Sequence, residues 1–134
     1  MNKFYILIIL MFFVNPAMAQ WNQQYTGTTS QLESVYFTDA YTGYAVGDSG
    51  IILKTTNGGN TWTSLSGGVT TYLVGMFFSG LNTGYVVGDA GTCLKTNNGG
   101  TTWTILNGGI INDLWSVNFP NAQTGYAAGD TGTI

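Results

Sequence analysis

Few side chains in this 134-residue chain can do chemistry. There are six carboxylates (Glu33, Asp39, Asp48, Asp89, Asp113 and Asp130), three lysines (Lys3, Lys54 and Lys95), eight tyrosines and one cysteine. Histidine and arginine are absent, which excludes a nucleophilic triad with an imidazole base. With so few cations there is no basic footprint for nucleic acid, and the formal net charge of −3 gives no attraction to anionic membranes. Asp48, Asp89 and Asp130 recur in Gly-Asp-x-Gly at a fixed interval, and a column of carboxylates can line a site for a hard cation, which takes several oxygens. The same Gly-Asp-x-Gly is also a turn with Asp as its cap, and copies in neighbouring sheets should lie roughly 10 Å apart. The turn reading is preferred, so no metal and no cofactor is expected.

The elements that must position these groups come from an internal repeat. Thr-Gly-Tyr-Ala-Val-Gly-Asp-Ser-Gly at 42–50 returns at 83–91 and again at 124–132, each time 41 residues on, and Trp21, Trp62 and Trp103 keep the same interval. Residues 21–61 and 62–102 share 19 identities in 41 ungapped positions, too many for composition alone, so each copy is one structural unit. Aromatic and β-branched residues dominate, charge is 7%, and no long helical period appears. Each unit reads as four strands, over 32–38, 44–47, 51–55 and 61–65 in the first copy. Cys93 stands where Ile52 and Ile134 stand in the other copies. It reads as a small buried apolar residue, and being alone it can form no intrachain disulfide.

Between the third and fourth strands sit Thr55, Asn57, Gly59, Thr61 and Trp62, repeated as Thr96, Asn98, Gly100, Thr102 and Trp103. The spacing predicts a tight turn. The Asn would bond its own backbone two residues on, the Gly would take a positive φ, the Thr hydroxyls would tie the strands, and the Trp would fill the apolar gap beneath. This pattern resembles the Asp-box of sialidase-like β-propellers, where its residues are structural. Lys54 and Lys95 beside it should point to solvent. The fold class expected is all-β, with blades of four antiparallel strands.

The N-terminus reads as an export signal over residues 1–19: Lys3, an 11-residue apolar run, then Ala17-Met-Ala19 for cleavage before Gln20. Eleven residues are too short to stay as a membrane span. Export to a periplasm, the cell envelope or beyond is the expectation. Residues 20–134 then divide into a closing outer strand and loop (20–31), blade 1 (32–66), blade 2 (73–107) and an incomplete blade 3 (114–134). Residues 21–25 match the fourth strand of a unit without its first three. About two and a half blades are visible, so the chain reads as the front end of a longer propeller. Outer faces carrying Val35, Phe37, Ile52, Leu53 and their copies would then lie uncovered.

Recognition should sit where the repeats differ. One column reads Gln31, Tyr72, Asp113 and the next Glu33, Val74, Trp115, both at the start of the innermost strand and opposite the Asp-boxes. Glu33, Tyr72, Asp113 and Trp115 are the binding candidates; no catalytic residue is assigned. Glycoside hydrolysis needs two carboxylates about 5–5.5 or about 6.5–9.5 Å apart in most families, and Glu33 and Asp113 come from blades two steps apart.

Taken whole, Leu-x-x-Val-x-Phe, Thr-Gly-Tyr-Ala-Val-Gly, Gly-x-Ile-Leu-Lys-Thr and Asn-Gly-Gly-x-Thr-Trp resemble the photosystem II stability and assembly factor family over residues 21–134. That resemblance implies a seven-bladed propeller which holds partner proteins outside the cytoplasm and catalyses nothing. The family's arginine-rich partner surface has no counterpart here. The implied function is a secreted protein-binding or scaffolding module whose partner is another protein or a cell-surface glycan. The alternative is a sialidase-like or xyloglucanase-like glycoside hydrolase whose catalytic residues lie in further blades; sialidases grip their substrate with arginines, which this chain lacks. A smaller possibility is an adhesion protein with a C-terminal anchoring segment.

Overall fold

The computed structural model describes residues 21–134; the expected leader over residues 1–19 lies outside the described residues. Two antiparallel sheets of four strands and one of two strands follow one another along the chain. The first holds β1 (Leu32–Phe37), β2 (Gly43–Gly47), β3 (Ile51–Thr55) and β4 (Thr63–Ser66). The second repeats it as β5 (Leu73–Phe78), β6 (Gly84–Gly88), β7 (Cys93–Thr96) and β8 (Thr104–Ile105). The third pairs β9 (Leu114–Asn118) with β10 (Tyr126–Gly129). Each sheet is a plain meander, since short turns join strands that are already adjacent. All-β blades are thus the architecture, with strand limits within two residues of those read from the pattern.

Side-chain alternation decides how the blades stack. Tyr44, Val46 and Ile52 leave blade 1 on one face and meet Leu73, Met76, Phe78, Val86 and Leu94 of blade 2, forming one buried cluster. Tyr85 and Val87 leave blade 2 the same way and meet Leu114 and Val117 of blade 3 in a second cluster. A stacked aromatic pair marks each joint: Tyr44 on Phe78, centroids 4.3 Å apart, and Tyr85 on Phe119, 3.9 Å apart. Phe78 is only 4% exposed, whereas its repeat counterpart Phe37 is 43% exposed and Val35 63%, because no blade precedes them in the described chain. Ile52 and Leu53, also expected on open faces, are buried.

One expectation changes here, the direction of Lys54. Among the described residues, 21–31 form no strand, and Trp21 and Tyr25 are exposed. Gln24 and Thr26 instead run beside Val35, Ala45 and Trp62 along the front of blade 1. Lys54 does not point to solvent. Its Nζ donates to the Gly99 carbonyl of blade 2 at 2.7 Å and lies 5.4 Å from the Tyr44 ring, while the Tyr44 hydroxyl donates to the same carbonyl at 2.8 Å.

The Asp-box turns differ from expectation in one bond. Thr55 Oγ1 donates to Asn57 Oδ1 and accepts from the Gly59 N–H, and Asn57 Oδ1 accepts from the Thr61 N–H four residues on, not two. Asn57 Nδ2 completes the ring by donating to Thr61 Oγ1. Thr96, Asn98, Gly100 and Thr102 repeat every bond. Gly59 and Gly100 take φ of 89° and 79°, the left-handed region that a side chain resists. Trp62 lies edge-on to Phe37 and Trp103 edge-on to Phe78, both indole N–H groups buried without an acceptor.

Candidate functional site

The blade end opposite the Asp-boxes is built from a repeated backbone clasp. The Asp48 N–H donates to the Gln31 carbonyl, Asp89 to Tyr72 and Asp130 to Asp113, each at 2.9 or 3.0 Å. A Cβ on Gly47, Gly88 or Gly129 would come within 1.9–2.0 Å of those same carbonyls, so only glycine allows the approach. Each Asp-x-Gly then makes a single 3₁₀ turn closed by the Asp main-chain carbonyl, with no side-chain cap bond. That corrects the expected Asp cap: the main chain closes the turn, and the Asp carboxylates make no cap bond. Ser49, Ala90 and Thr131 sit at φ of 58°, 51° and 55° in these turns, a left-handed strain that clusters at functional positions in proteins generally.

A second device, invisible to the repeat pattern, aims the variable side chains. The ladder skips one residue at the start of β1, β5 and β9, between Leu32 and Ser34, between Leu73 and Gly75, and between Leu114 and Ser116. The skipped residues are Glu33, Val74 and Trp115. Such bulges bend a strand and redirect a side chain, and here they turn Glu33 and Trp115 onto the rim. Gly47, Gly88 and Gly129 pair with Leu32, Leu73 and Leu114, the residues just before each skipped position.

Three of the four binding candidates, Glu33, Tyr72 and Asp113, make contacts at successive blade junctions, and Trp115 makes one within blade 3. The Tyr72 hydroxyl of the loop before blade 2 donates to Glu33 of blade 1, and Gln31 Nε2 donates to the same carboxylate oxygen at 2.6 Å. The Glu33 hydrogen bond, then burial and the charges of Glu33, Asp48 and Asp89, push the Tyr72 phenol up to about 12. Asp113 Oδ1 accepts from the Ala90 N–H at 2.7 Å, joining blade 3 to the turn of blade 2. Trp115 Nε1 donates to Asp130 at 2.7 Å. Burial, followed by the charges of Asp113 and Asp130, holds Asp89 above the usual carboxylate range. Five of the six carboxylates therefore share one rim, while Lys54 and Lys95 lie beside Tyr44 and Tyr85 at the other end. Among the described residues no three acidic or Cys side chains gather as a metal site. Glu33 and Asp113 serve different junctions, one at blades 1 and 2 and the other at blades 2 and 3.

A groove of about 500 Å³ lies beside this rim between the Asp48 turn and β4, lined by Ser30, Asp48, Ser49, Ser64, Ser66 and Val69 among others. None of the four candidates lines it. Cys93 is half-buried, and burial pushes its thiol up from the ordinary value, which disfavours the reactive thiolate.

A solved structure described as YCF48 bound to D1 peptide superposes with a TM-score of 0.71 at 22% identity, covering 80% of this chain and 36% of its own. YCF48 from Cyanidioschyzon merolae superposes with a TM-score of 0.74 at 23% identity, covering 85% of this chain and 38% of its own. The fold is shared, and the chain spans just over a third of the length of either. A search of curated proteins returns no match. Residues 14–107 match the family described as photosynthesis system II assembly factor YCF48, so this chain belongs to that family.

Proposed function

We propose that this chain is a non-catalytic protein-binding module, working outside the cytoplasm, that holds a partner chain on the rim formed by Glu33, Tyr72, Asp113 and Trp115. One observation carries the reading. The variable positions 31, 33, 72, 113 and 115 and the repeated aspartates Asp48, Asp89 and Asp130 come to a common rim through the bulges and clasps, while the other repeated residues are consumed in turns and blade joints. The rim groups are hydrogen-bonded to one another or to main chain, an arrangement suited to presenting fixed acceptors. With five carboxylates and no lysine there, the partner chemistry that fits is an extended segment carrying Lys or Arg, since complementary potential sets specificity and encounter rate. One relative of the same fold is described as bound to a D1 peptide, which makes a peptide the first ligand class to test. The apolar run and Ala17-Met-Ala19 support export.

The test is binding of the full chain to an array of extended peptides, basic and acidic, read by fluorescence anisotropy. Basic peptides should bind, and Glu33→Gln, Tyr72→Phe, Asp113→Asn and Trp115→Ala should each weaken them. Substitutions at the Asp-box end should leave binding unchanged. Binding that survives all four rim changes, or binding only of glycans, overturns the reading. N-terminal mass analysis checks export, since a chain recovered outside the cytoplasm should begin at Gln20.

A further inference from the structure

We propose that Asn107 is a self-modifying position, losing its side-chain amide to become aspartate or isoaspartate, while Asn57 and Asn98 are shielded by the turns they build. All three are followed by glycine, whose missing Cβ lets the next main-chain nitrogen approach the asparagine side chain. The reaction is internal. The Gly108 nitrogen gives up its proton and bonds Asn107 Cγ, the Cγ–Nδ2 bond breaks, and the amide leaves as ammonia from a cyclic imide. Water then opens the imide at Cγ to give aspartate, or at the Asn107 main-chain carbonyl to give isoaspartate. Water is the sole co-reactant.

In the Asp-boxes neither reacting group is free. The Gly58 N–H donates to the Tyr41 carbonyl and the Gly99 N–H to the Asn82 carbonyl, each at 2.9 Å. The side chains are held as firmly. Asn57 Oδ1 accepts from Thr55 Oγ1 and the Thr61 N–H while Nδ2 donates to Thr61 Oγ1, and Asn98 repeats these bonds with Thr96 and Thr102. The ring cannot close there without breaking several bonds together. Asn107 instead follows the outer strand β8, where blade 1 has Ser66. Among the described residues neither its amide nor the Gly108 N–H has a hydrogen-bond partner. A Cβ on Gly109, at φ 71°, would meet nothing within 4 Å, and the same holds for Gly68 at φ 73°. Ser66 is exposed like Asn107. The open loop therefore belongs to its place between blades, since it is found at the junction of blades 1 and 2 as well. The carboxylate formed at 107 would line the groove beside Ala90 and Gly91, next to the Asp89 turn, and add charge to the acidic end of blade 2.

The full chain is incubated at mildly alkaline pH, folded and in urea, then cleaved at lysine and aromatic residues so that the three asparagines fall in separate peptides. Mass spectrometry against the starting sample reads amide loss at each. Reaction inside an Asp-box must wait for local opening that costs several hydrogen bonds, so Asn107 should convert at least about tenfold faster than Asn57 or Asn98 in the folded chain. In urea the three rates should converge. The Asn107 product should contain both aspartate and isoaspartate. Gly108→Ala has room in the fold, its nearest neighbours being Ile110 side-chain atoms at 3.9 Å, and should slow conversion at Asn107 alone while circular dichroism stays unchanged. Equal rates at the three positions in the folded chain, aspartate without isoaspartate, or a rate indifferent to Gly108→Ala overturns the proposal.

Discussion

Gly84 in the repeated Thr-Gly-Tyr offers a sharp test of how the blades pack. Its φ is unremarkable for any residue; the reason for glycine is steric. A Cβ there would lie 2.5, 2.6 and 2.8 Å from three ring atoms of Phe78. The ring has nowhere to go. Tyr44 stacks on it at 4.3 Å, Trp103 meets it edge-on at 6.3 Å and Tyr36 lies 5.7 Å away. Gly84→Ala should therefore incur an overpacking cost of about 1–3 kcal/mol, offset by about 0.5–1 kcal/mol from the smaller unfolded-state entropy of alanine. Phe78→Leu, which gives up part of the buried ring, should cost about 1–2 kcal/mol on its own. If the ring is what forbids the methyl, the pair together should be less destabilising than the two singles summed, by about 1–2 kcal/mol. Urea unfolding followed by tryptophan fluorescence, with equal m-values across the cycle, measures this coupling. Blade 1 supplies a control: Gly43 faces Phe37 just as closely, but Phe37 is half-exposed and can swing away, so Gly43→Ala should fall within about 0.5 kcal/mol of wild type. Additivity within about 0.5 kcal/mol in blade 2, or an equal cost in both blades, would refute the reasoning.

Two further outcomes follow from the same geometry. Thr96, 1% exposed, accepts from the buried Gly100 N–H at 2.9 Å and donates to Asn98. Thr96→Val should cost about 2–4 kcal/mol, because it strands that donor and loses its bonds, while Thr96→Ser should cost under about 1 kcal/mol; thermal melts of the two variants separate the hydroxyl from the shape. Asp89 has its folded pKa raised above 3.8 by burial and by Asp113 and Asp130, so its ionised form opposes folding at neutral pH. Asp89→Asn should raise Tm at pH 7, and the gain should shrink as pH falls through the raised folded pKa and vanish below about 3.8. A gain that persists in acid would assign the effect to something other than charge.

The repeat alone determined the architecture. A 41-residue period with strand-forming residues, glycine-marked turns and a fixed tryptophan leaves few ways to bury its apolar positions other than stacked four-stranded blades. Local chemistry likewise made the Asp-box legible, since Thr, Asn and Gly at that spacing satisfy one another within eight residues. The variable positions of the rim could also be read by comparing one copy with the next. Three things waited for the tertiary structure. The bulges that turn Glu33 and Trp115 outward depend on register, which is a property of two strands together. The role of Lys54 depends on Gly99, 45 residues away in sequence and in the next blade, so no local pattern reveals it. Residues 21–25 repeat a strand's sequence without forming one among the described residues, because a strand is defined by its ladder partner and no ladder reaches them.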